Sequence, residues 1–133
     1  MESKMEASVN ELVGGYRFAV GNDVVYLPDF AHSCTDLFKK KVFTASEIAY
    51  CDQFEDAMLR YASTWAAKEA VYKAVKQLDE APLPFMAIEI TRNKIAGKPT
   101  ATIHRPIGER VNISLTISHD GDLAWAVALA QTI

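Results

Sequence analysis

The stretch from Asp56 to Leu78 decides the fold of this chain; it reads DAMLRYASTWAAKEAVYKAVKQL. We predict one long helix here, which Pro82 and Pro84 bring to an end. Small or apolar side chains recur at every fourth position and so share one face of the helix: Ala62, Ala66, Ala70, Ala74 and Leu78. This face should therefore lie close against a sheet or another helix.

Strands and short helices are predicted on either side of the long helix. β-Branched, aromatic or alternating residues predict strands at Phe18 to Leu27, Ile88 to Ile95, Thr100 to His104, Val111 to Ser118 and Leu123 to Ala130. Short helices are predicted at Thr35 to Lys41 and, after a capping box of Thr44 and Glu47, up to about Asp52. The chain should be a single α+β domain over residues 16–133, with one long helix packed on a mostly antiparallel sheet.

The last two predicted strands form the clearest hairpin in the sequence. Asp120 and Gly121, between them, are a dipeptide typical of hairpin turns. The second strand alternates alanines with large apolar side chains, so we expect both of its faces to be covered. At the other end of the chain, residues 1–15 are predicted to be an N-terminal extension, either disordered or a short helix.

Composition and charge argue against several classes of protein. With 133 residues, 50% of them hydrophobic and 23% charged, the chain fits one globular domain. Its formal net charge of -3 does not favour nucleic acid as a partner. We expect no membrane span and no secretory signal. Cys34 and Cys51 fit neither a zinc site nor a disulfide framework, so a reduced, cytoplasmic location is expected.

Three groups of polar residues are candidates for chemistry, and each has a plain structural explanation as well. Glu69 and Lys73, one turn apart on the long helix, could act together or form an ordinary exposed ion pair. Asp23, within an apolar strand, is either a buried carboxylate that needs a partner or a turn residue bonded to its own backbone. Ser118 and His119, at a strand end, could donate to a phosphate or only cap the turn.

Five motifs, taken in chain order, resemble those of the 4'-phosphopantetheinyl transferases. The family pattern is G-x-D, F-(T/S)-x-x-E, (W/F)-x-x-K-E-A-x-x-K, G-K-P and S-x-S-H. The corresponding segments here are Gly21-Asn-Asp23, Phe43-Thr-Ala-Ser-Glu47, Trp65-Ala-Ala-Lys-Glu-Ala-Val-Tyr-Lys73, Gly97-Lys-Pro99 and Thr116-Ile-Ser-His119. The length is similar to that of the holo-acyl-carrier-protein synthase type. That resemblance implies an α+β fold and a homotrimer with coenzyme A at the subunit interfaces.

The resemblance also implies a reaction and roles for individual residues. The phosphopantetheine arm of coenzyme A would pass to a serine of an acyl or peptidyl carrier protein, with Mg2+ as cofactor and 3',5'-ADP as product. Asp23 and Glu69 would hold the metal, and Lys73 would offset phosphate charge. Glu69 or a metal-bound water would help to remove the serine proton. Further contacts with coenzyme A are implied for Lys68, Lys98, Arg60, Ser118 and His119.

A basic patch should receive the carrier protein, because carrier proteins of this kind are acidic. Lys39, Lys40 and Lys41 form the only run of three like charges in the sequence. They fall where the family's first helix meets its partner, although they could equally be a solvated helix end.

The chain departs from the family pattern at three places, one of which is the glycine-rich turn common after the long helix, where the segment from Gln77 to Pro82 stands instead. Tyr26 and Pro28 stand near positions where an acidic residue and an arginine are usual, and Thr64 stands where a basic residue is common. Arg60, one turn earlier, could replace that basic residue. The alternative function is a non-catalytic module that binds coenzyme A or a carrier protein, and a structural subunit of a synthase is a third. The proposed metal ligands are retained, which favours the transferase.

Overall fold

The computed structural model describes residues 17–92 and 97–133. The predicted extension at residues 1–15 and the end of the strand predicted at Ile88 to Ile95 lie outside the described residues. Strands and helices follow one another as β1 (Phe18–Tyr26), α1 (Leu27–Ser33), α2 (Asp36–Val42), α3 (Ala45–Cys51), α4 (Ala57–Val75), β2 (Ile88–Arg92), β3 (Pro99–Ile103), β4 (Val111–Asp120) and β5 (Leu123–Thr132).

The strands form two antiparallel sheets, and the predicted α+β class is confirmed. One sheet has the order β1-β5-β4 and the other pairs β2 with β3. The predicted hairpin is β4–β5, in which Asp120 pairs with Leu123 across the turn. Gly121 at this turn has φ of 57°, a left-handed value that glycine adopts without strain.

Helix α4 lies directly against the three-stranded sheet, as the row of small residues predicts. The alanines of that row are fully buried, and they face the alanines at alternate positions of β5, which are also fully buried. Gly21 of β1 allows the closest approach. A Cβ atom at Gly21 would overlap the carbonyl oxygen of Ala70 and lie 2.7 Å from the amide nitrogen of Ala74. Any larger residue at this position would push the helix and the sheet apart.

None of the described residues covers the other face of this sheet. Its apolar side chains lie on β1 and β5, and the most exposed is Val24 at 61%; the others include Val20, Tyr26, Val127 and Leu129. The described residues do not show the predicted cover on both faces of β5: helix α4 covers the alanine face, and Leu123, Val127 and Leu129 are exposed on the other. Contiguous exposed apolar residues of this kind mark a surface that meets another molecule.

Helix α1 is the one α-helix among the described residues that the sequence did not predict. Pro28 was expected only to end the strand, and it does follow β1, but it also occupies the first turn of α1. Proline suits this position because the first amide groups of a helix have no partner within the helix. None of the helices within residues 17–92 and 97–133 is long and apolar enough to cross a membrane.

Candidate active site

The contact between Gly21 and helix α4 determines where Asp23 lies. Side chains two positions apart on a strand point to the same face of the sheet. Asp23, two residues after Gly21 on β1, therefore also points at helix α4. The side chain of Lys73, one turn after Glu69, reaches back to this strand. Its ammonium donates to Asp23 Oδ1 at 3.0 Å and to the backbone oxygen of Asn22 at 3.1 Å. The Asp23 side chain is only 13% exposed, whereas that of Lys73 is 51% exposed.

Glu69 faces the same carboxylate from the helix. The pKa of Glu69 is raised to about 7, first by burial and then by the negative charge and hydrogen bonding of Asp23, while Lys73 lowers it. Two carboxyl groups are thus held together in a half-buried place with one exposed cation beside them. Of the two alternatives for Asp23, the structure shows the buried carboxylate with partners on the helix.

This pair of carboxyl groups has the chemistry of a magnesium site. Mg2+ prefers oxygen ligands, and one or two protein carboxylates usually hold it together with substrate phosphates. A divalent cation would also remove the repulsion between Asp23 and Glu69. The described residues include no cluster of three or more His, Cys, Asp or Glu side chains arranged to bind a metal. Other ligands would have to come from the substrate or water.

A shallow cleft of about 420 Å3 opens beside Asp23 and Glu69. Aromatic side chains form much of its lining, namely Phe30, Phe38 and Trp65. Trp65 and Phe38 pack edge to face with their ring centroids 5.2 Å apart, and Trp65 packs on Phe85 at 4.7 Å. Helix α1, which the sequence did not predict, supplies Asp29, Phe30 and Ser33 to this cleft. Pro28 followed by an acidic residue was the sequence signal for that helix.

A second cavity of about 550 Å3 lies beside β4, at the opposite edge of the sheet from β1. Arg60 and His119, which the sequence placed together as contacts of coenzyme A, both line it, and so does Gly97. Lys98 is exposed next to Gly97. The described residues that line this cavity include no aspartate and no glutamate. The two hollows therefore differ in charge, with carboxylates in the first and cationic groups in the second.

Comparisons with known proteins agree with this geometry. The family profile of the 4'-phosphopantetheinyl transferase superfamily matches residues 19–128. The chain belongs to this superfamily. It is 42% identical over 97 residues to the holo-[acyl-carrier-protein] synthase of Chlorobaculum parvum, covering 72% of this chain and 80% of that protein. It is 34% identical over 128 residues to the synthase of Nocardia farcinica, covering 84% and 86% of the two chains.

Solved structures of the superfamily have the same fold. The ACPS–CoA complex of Chronobacterium ammoniagenes matches with a TM-score of 0.76 and 27% identity, over 88% of this chain and 98% of that one.

The chain also resembles a part of the fatty acid synthase subunit alpha of Candida albicans, at 33% identity over 103 residues, which are 72% of this chain and 5% of that protein. The superfamily and the enzyme class predicted from the motifs, a transferase of the holo-acyl-carrier-protein synthase type, are confirmed.

Lys68 lies in a different place from the one that its assignment to coenzyme A requires. Its ammonium is fully buried, donating to Glu47 Oε1 and to the backbone oxygen of Ile88, both at 2.6 Å. Burial lowers the pKa of the Lys68 ammonium, although Glu47 opposes this effect. Because the charged end points into the core and is already paired, we correct the assignment: Lys68 joins α4 to α3 and β2.

Glu47 does more than the predicted capping box requires. The box is confirmed, since Thr44 accepts from the Glu47 amide and Glu47 accepts from the Thr44 amide. The second carboxylate oxygen of Glu47 accepts from the backbone amide of Ile90 at 2.8 Å, which ties α3 to β2. The pairing of Glu47 with Lys68 has no signal in the sequence, because the two residues are 21 positions apart.

Ser118 and His119 point in opposite directions. Adjacent residues of a strand face opposite sides of the sheet. Ser118 pairs with Trp125 on the uncovered face, whereas His119 pairs with Ala124 on the helix side and lines the cavity. The predicted pair therefore cannot contact one part of a ligand from a single chain.

The three lysines of α2 are not equivalent either. The Lys39 ammonium lies 4.4 Å from the centre of the Tyr61 ring, a cation–π contact that holds it against the protein. Lys40 and Lys41 are exposed.

Thr64 is buried and donates to the backbone oxygen of Arg60 at 2.8 Å, so it offers nothing to the cavity.

Lys68→Met is expected to lower the free energy of unfolding by about 3–5 kcal/mol, because it leaves the buried Glu47 carboxylate without its cation. Urea denaturation monitored by circular dichroism measures the change. Lys40→Met, at an exposed lysine, should stay within about 0.5 kcal/mol of the parent protein. The double variant Glu47→Gln/Lys68→Met should recover part of the loss, since both charges are then removed. A Lys68→Met variant as stable as the parent would contradict the structural role.

Proposed function

We propose that this protein transfers the 4'-phosphopantetheine group of coenzyme A to a serine of an acyl carrier protein, releasing 3',5'-ADP in a magnesium-dependent reaction. The observation that supports this most directly is the approach of Asp23, Glu69 and Lys73 at the edge of an open cleft. Relatives named holo-[acyl-carrier-protein] synthase, and a related complex with coenzyme A, agree with the proposal.

Each of the three residues has a distinct task in this proposal. Asp23 and Glu69 would hold Mg2+, which supplies charge neutralisation at the pyrophosphate of coenzyme A. Burial and the neighbouring Asp23 raise the pKa of Glu69 to about 7 in the absence of a cation, and Mg2+ would favour the ionised carboxylate. Either Glu69 or a metal-bound water would help to remove the serine proton. The exposed ammonium of Lys73 would offset negative charge on the phosphate that leaves.

The reaction does not require a nucleophile from this chain. The attacking oxygen belongs to the serine of the carrier protein, so the protein has to position two substrates and stabilise charge. The open cleft beside Asp23 and Glu69 leaves room for a loop of a second protein. Arg60, His119 and Lys98, around the second cavity, and Ser118 on the uncovered face are proposed contacts with other parts of coenzyme A.

Glu69→Gln is expected to abolish transfer while preserving the fold, because an amide neither accepts the serine proton nor binds Mg2+ as a carboxylate does. Intact-mass spectrometry of an apo acyl carrier protein, incubated with the protein, coenzyme A and Mg2+, measures the added phosphopantetheine. EDTA should also prevent the mass increase, and excess Mg2+ should restore it. Glu80→Gln, at an exposed glutamate, is the control and should remain active.

The outcomes of this experiment separate the two functions that the sequence allows. Full activity of Glu69→Gln would show that Glu69 is neither ligand nor base. No mass increase with several carrier proteins, combined with tight binding of coenzyme A, would instead support the non-catalytic binding module.

The uncovered face of the sheet supports assembly into a homotrimer, which we propose as the working state. Val20, Val24, Val127 and Leu129 would be covered by neighbouring subunits. The cleft beside Asp23 and Glu69 borders β1, and the cavity beside Arg60 and His119 borders β4. The two therefore lie at opposite edges of one sheet. Contact between subunits would bring the cleft of one chain near the cavity of another, so that coenzyme A could span both.

Val127→Lys is expected to dissociate the assembly, because it buries a charge in the apolar interface. Size-exclusion chromatography with light scattering measures the mass directly. The parent protein should have three times the mass of one chain, and the variant should be smaller. Thr102→Lys, which adds the same charge on the exposed side of β3, should leave the mass unchanged. A parent protein with the mass of one chain would contradict the proposal.

Lys40 and Lys41 are proposed to receive the acidic carrier protein, with Lys39 held back by its contact with Tyr61. The double variant Lys40→Glu/Lys41→Glu should raise KM for the carrier protein by about tenfold, since two attractive charges become repulsive. The KM for coenzyme A should not change. Steady-state kinetics with each substrate varied in turn would check this, and an unchanged KM for the carrier protein would place the docking surface elsewhere.

We also propose a cytoplasmic location. Cys34 and Cys51 are buried free thiols, the state that a reducing compartment maintains.

A further inference from the structure

The free edge of strand β1 is fastened by two side chains from the C-terminal end of helix α4. In the order β1-β5-β4 this strand comes first, so one of its edges faces no other strand of the described chain. On that edge Lys73 donates to the backbone oxygen of Asn22 at 3.1 Å. The side-chain amide of Gln77 donates to the backbone oxygen of Val20 at 2.8 Å. The two bonds lie on either side of Gly21, where the strand touches the helix.

Gln77 is tied to the helix at the same time as to the strand. Its amide group also donates to the backbone oxygen of Lys73, one turn earlier, at 3.0 Å. Lys73 belongs to the last turn of α4, whose backbone oxygens have no partners further along the helix. A single side chain therefore joins the end of the helix to the edge of the strand.

The contact at Gly21 does not by itself fix the strand along the helix. Glycine has no side chain that could interlock with its neighbours, so this contact sets a distance but resists sliding only weakly. The bonds from Lys73 and Gln77 fix the lengthwise position. Because Asp23 follows Gly21 by two residues, these bonds also determine where its carboxyl group lies relative to Glu69, on the other side of the cleft.

The two donors differ in what the proposed reaction asks of them. Lys73 also bonds to Asp23, and in that reaction its ammonium would turn toward a phosphate of coenzyme A. Its bond to Asn22 would then be weakened while the two carboxyl groups still have to be aligned. The bonds of Gln77 are to backbone oxygens, so this side chain can hold the strand while Lys73 moves.

We propose that Gln77 is a positioning residue, which holds β1 against α4 so that Asp23 and Glu69 stay close enough to share one divalent cation. The inference rests on the proposed function, in which these carboxylates hold Mg2+. Its signal in the sequence is a departure from the family pattern, because Gln77 begins the segment that stands in place of the usual glycine-rich turn. A glycine at this position would have no side chain to reach the strand.

Binding of Mn2+ by the full-length protein tests this without turnover. Mn2+ prefers the same oxygen ligands as Mg2+, and the electron paramagnetic resonance signal of the free ion decreases as the ion binds. Gln77→Met keeps the length of the side chain but not the donor. It should raise Kd for Mn2+ by about 3- to 10-fold, as expected for the loss of one hydrogen bond. Asp23→Asn should abolish the binding and so identify the site that is measured.

Lys76→Met is the matched control for a general effect on the end of the helix. Lys76 precedes Gln77 and also bonds to backbone oxygens, those of Glu80 at 3.1 Å and Ala81 at 2.7 Å, which belong to the following turn and not to the strand. Its removal should leave Kd for Mn2+ within about twofold of the parent value. Melting temperatures of both variants show whether the two changes affect stability to the same extent.

The transfer assay supplies a second readout. Gln77→Met should need about 3- to 10-fold more Mg2+ to reach half of its maximal rate, since the same hydrogen bond is lost. Its KM for the carrier protein should not change, because Gln77 lies away from the proposed docking lysines. Gln77→Asn, whose amide is carried on a shorter side chain, should show the same pattern.

The inference is overturned if Gln77→Met and Gln77→Asn bind Mn2+ as tightly as the parent protein. It is also overturned if Lys76→Met weakens Mn2+ binding equally, since the effect would then come from stability, or if the parent protein does not bind Mn2+ through Asp23. Failure of phosphopantetheine transfer is a separate result, because the Mn2+ titration contains neither coenzyme A nor a carrier protein.

Discussion

The close approach of helix α4 to the sheet is the constraint on which the rest of the structure depends. Gly21 brings the strand backbone into contact with the helix backbone at Ala70 and Ala74. Alanines on α4 and β5 keep the same short separation along the interface. At this distance Asp23 and Glu69 come together and Lys73 reaches the strand. Larger core residues would separate those groups and disperse the charges on which the proposed reaction depends.

The chain separates its charges between the two edges of one sheet. Carboxylates lie beside β1, where the proposed cation and reacting phosphate would be held. Arginines lie beside β4, where the described residues of the cavity lining include no carboxylate. In the proposed trimer, neighbouring copies would bring opposite edges of the sheet together at the apolar outer face.

Much of the fold could be predicted from the sequence, because local signals mark it. The alanine row, the capping box of Thr44 and the hairpin at Gly121 all lie where expected. Five ordered motifs were enough to predict the family. Contacts between distant segments could not be predicted in the same way. In the sequence Glu47 and Lys68 resemble surface residues, because their burial depends on elements that are distant in the chain. No sequence motif marks Arg92, which lines the cavity beside β4. Whether the outer face of the sheet is exposed depends on which other elements cover it. The alternation of residues along a strand does not show this.

The buried pair of Glu47 and Lys68 also limits how this sequence can vary over evolution. Either residue changed alone would leave a lone charge in the core, so an intermediate with one substitution would be severely destabilised. The two positions should therefore vary jointly or hardly at all among related sequences, because both side chains are buried in the core. Because Lys68 directly precedes Glu69, this mutual dependence would make a core residue look as constrained as the proposed catalytic residue in a comparison of homologues.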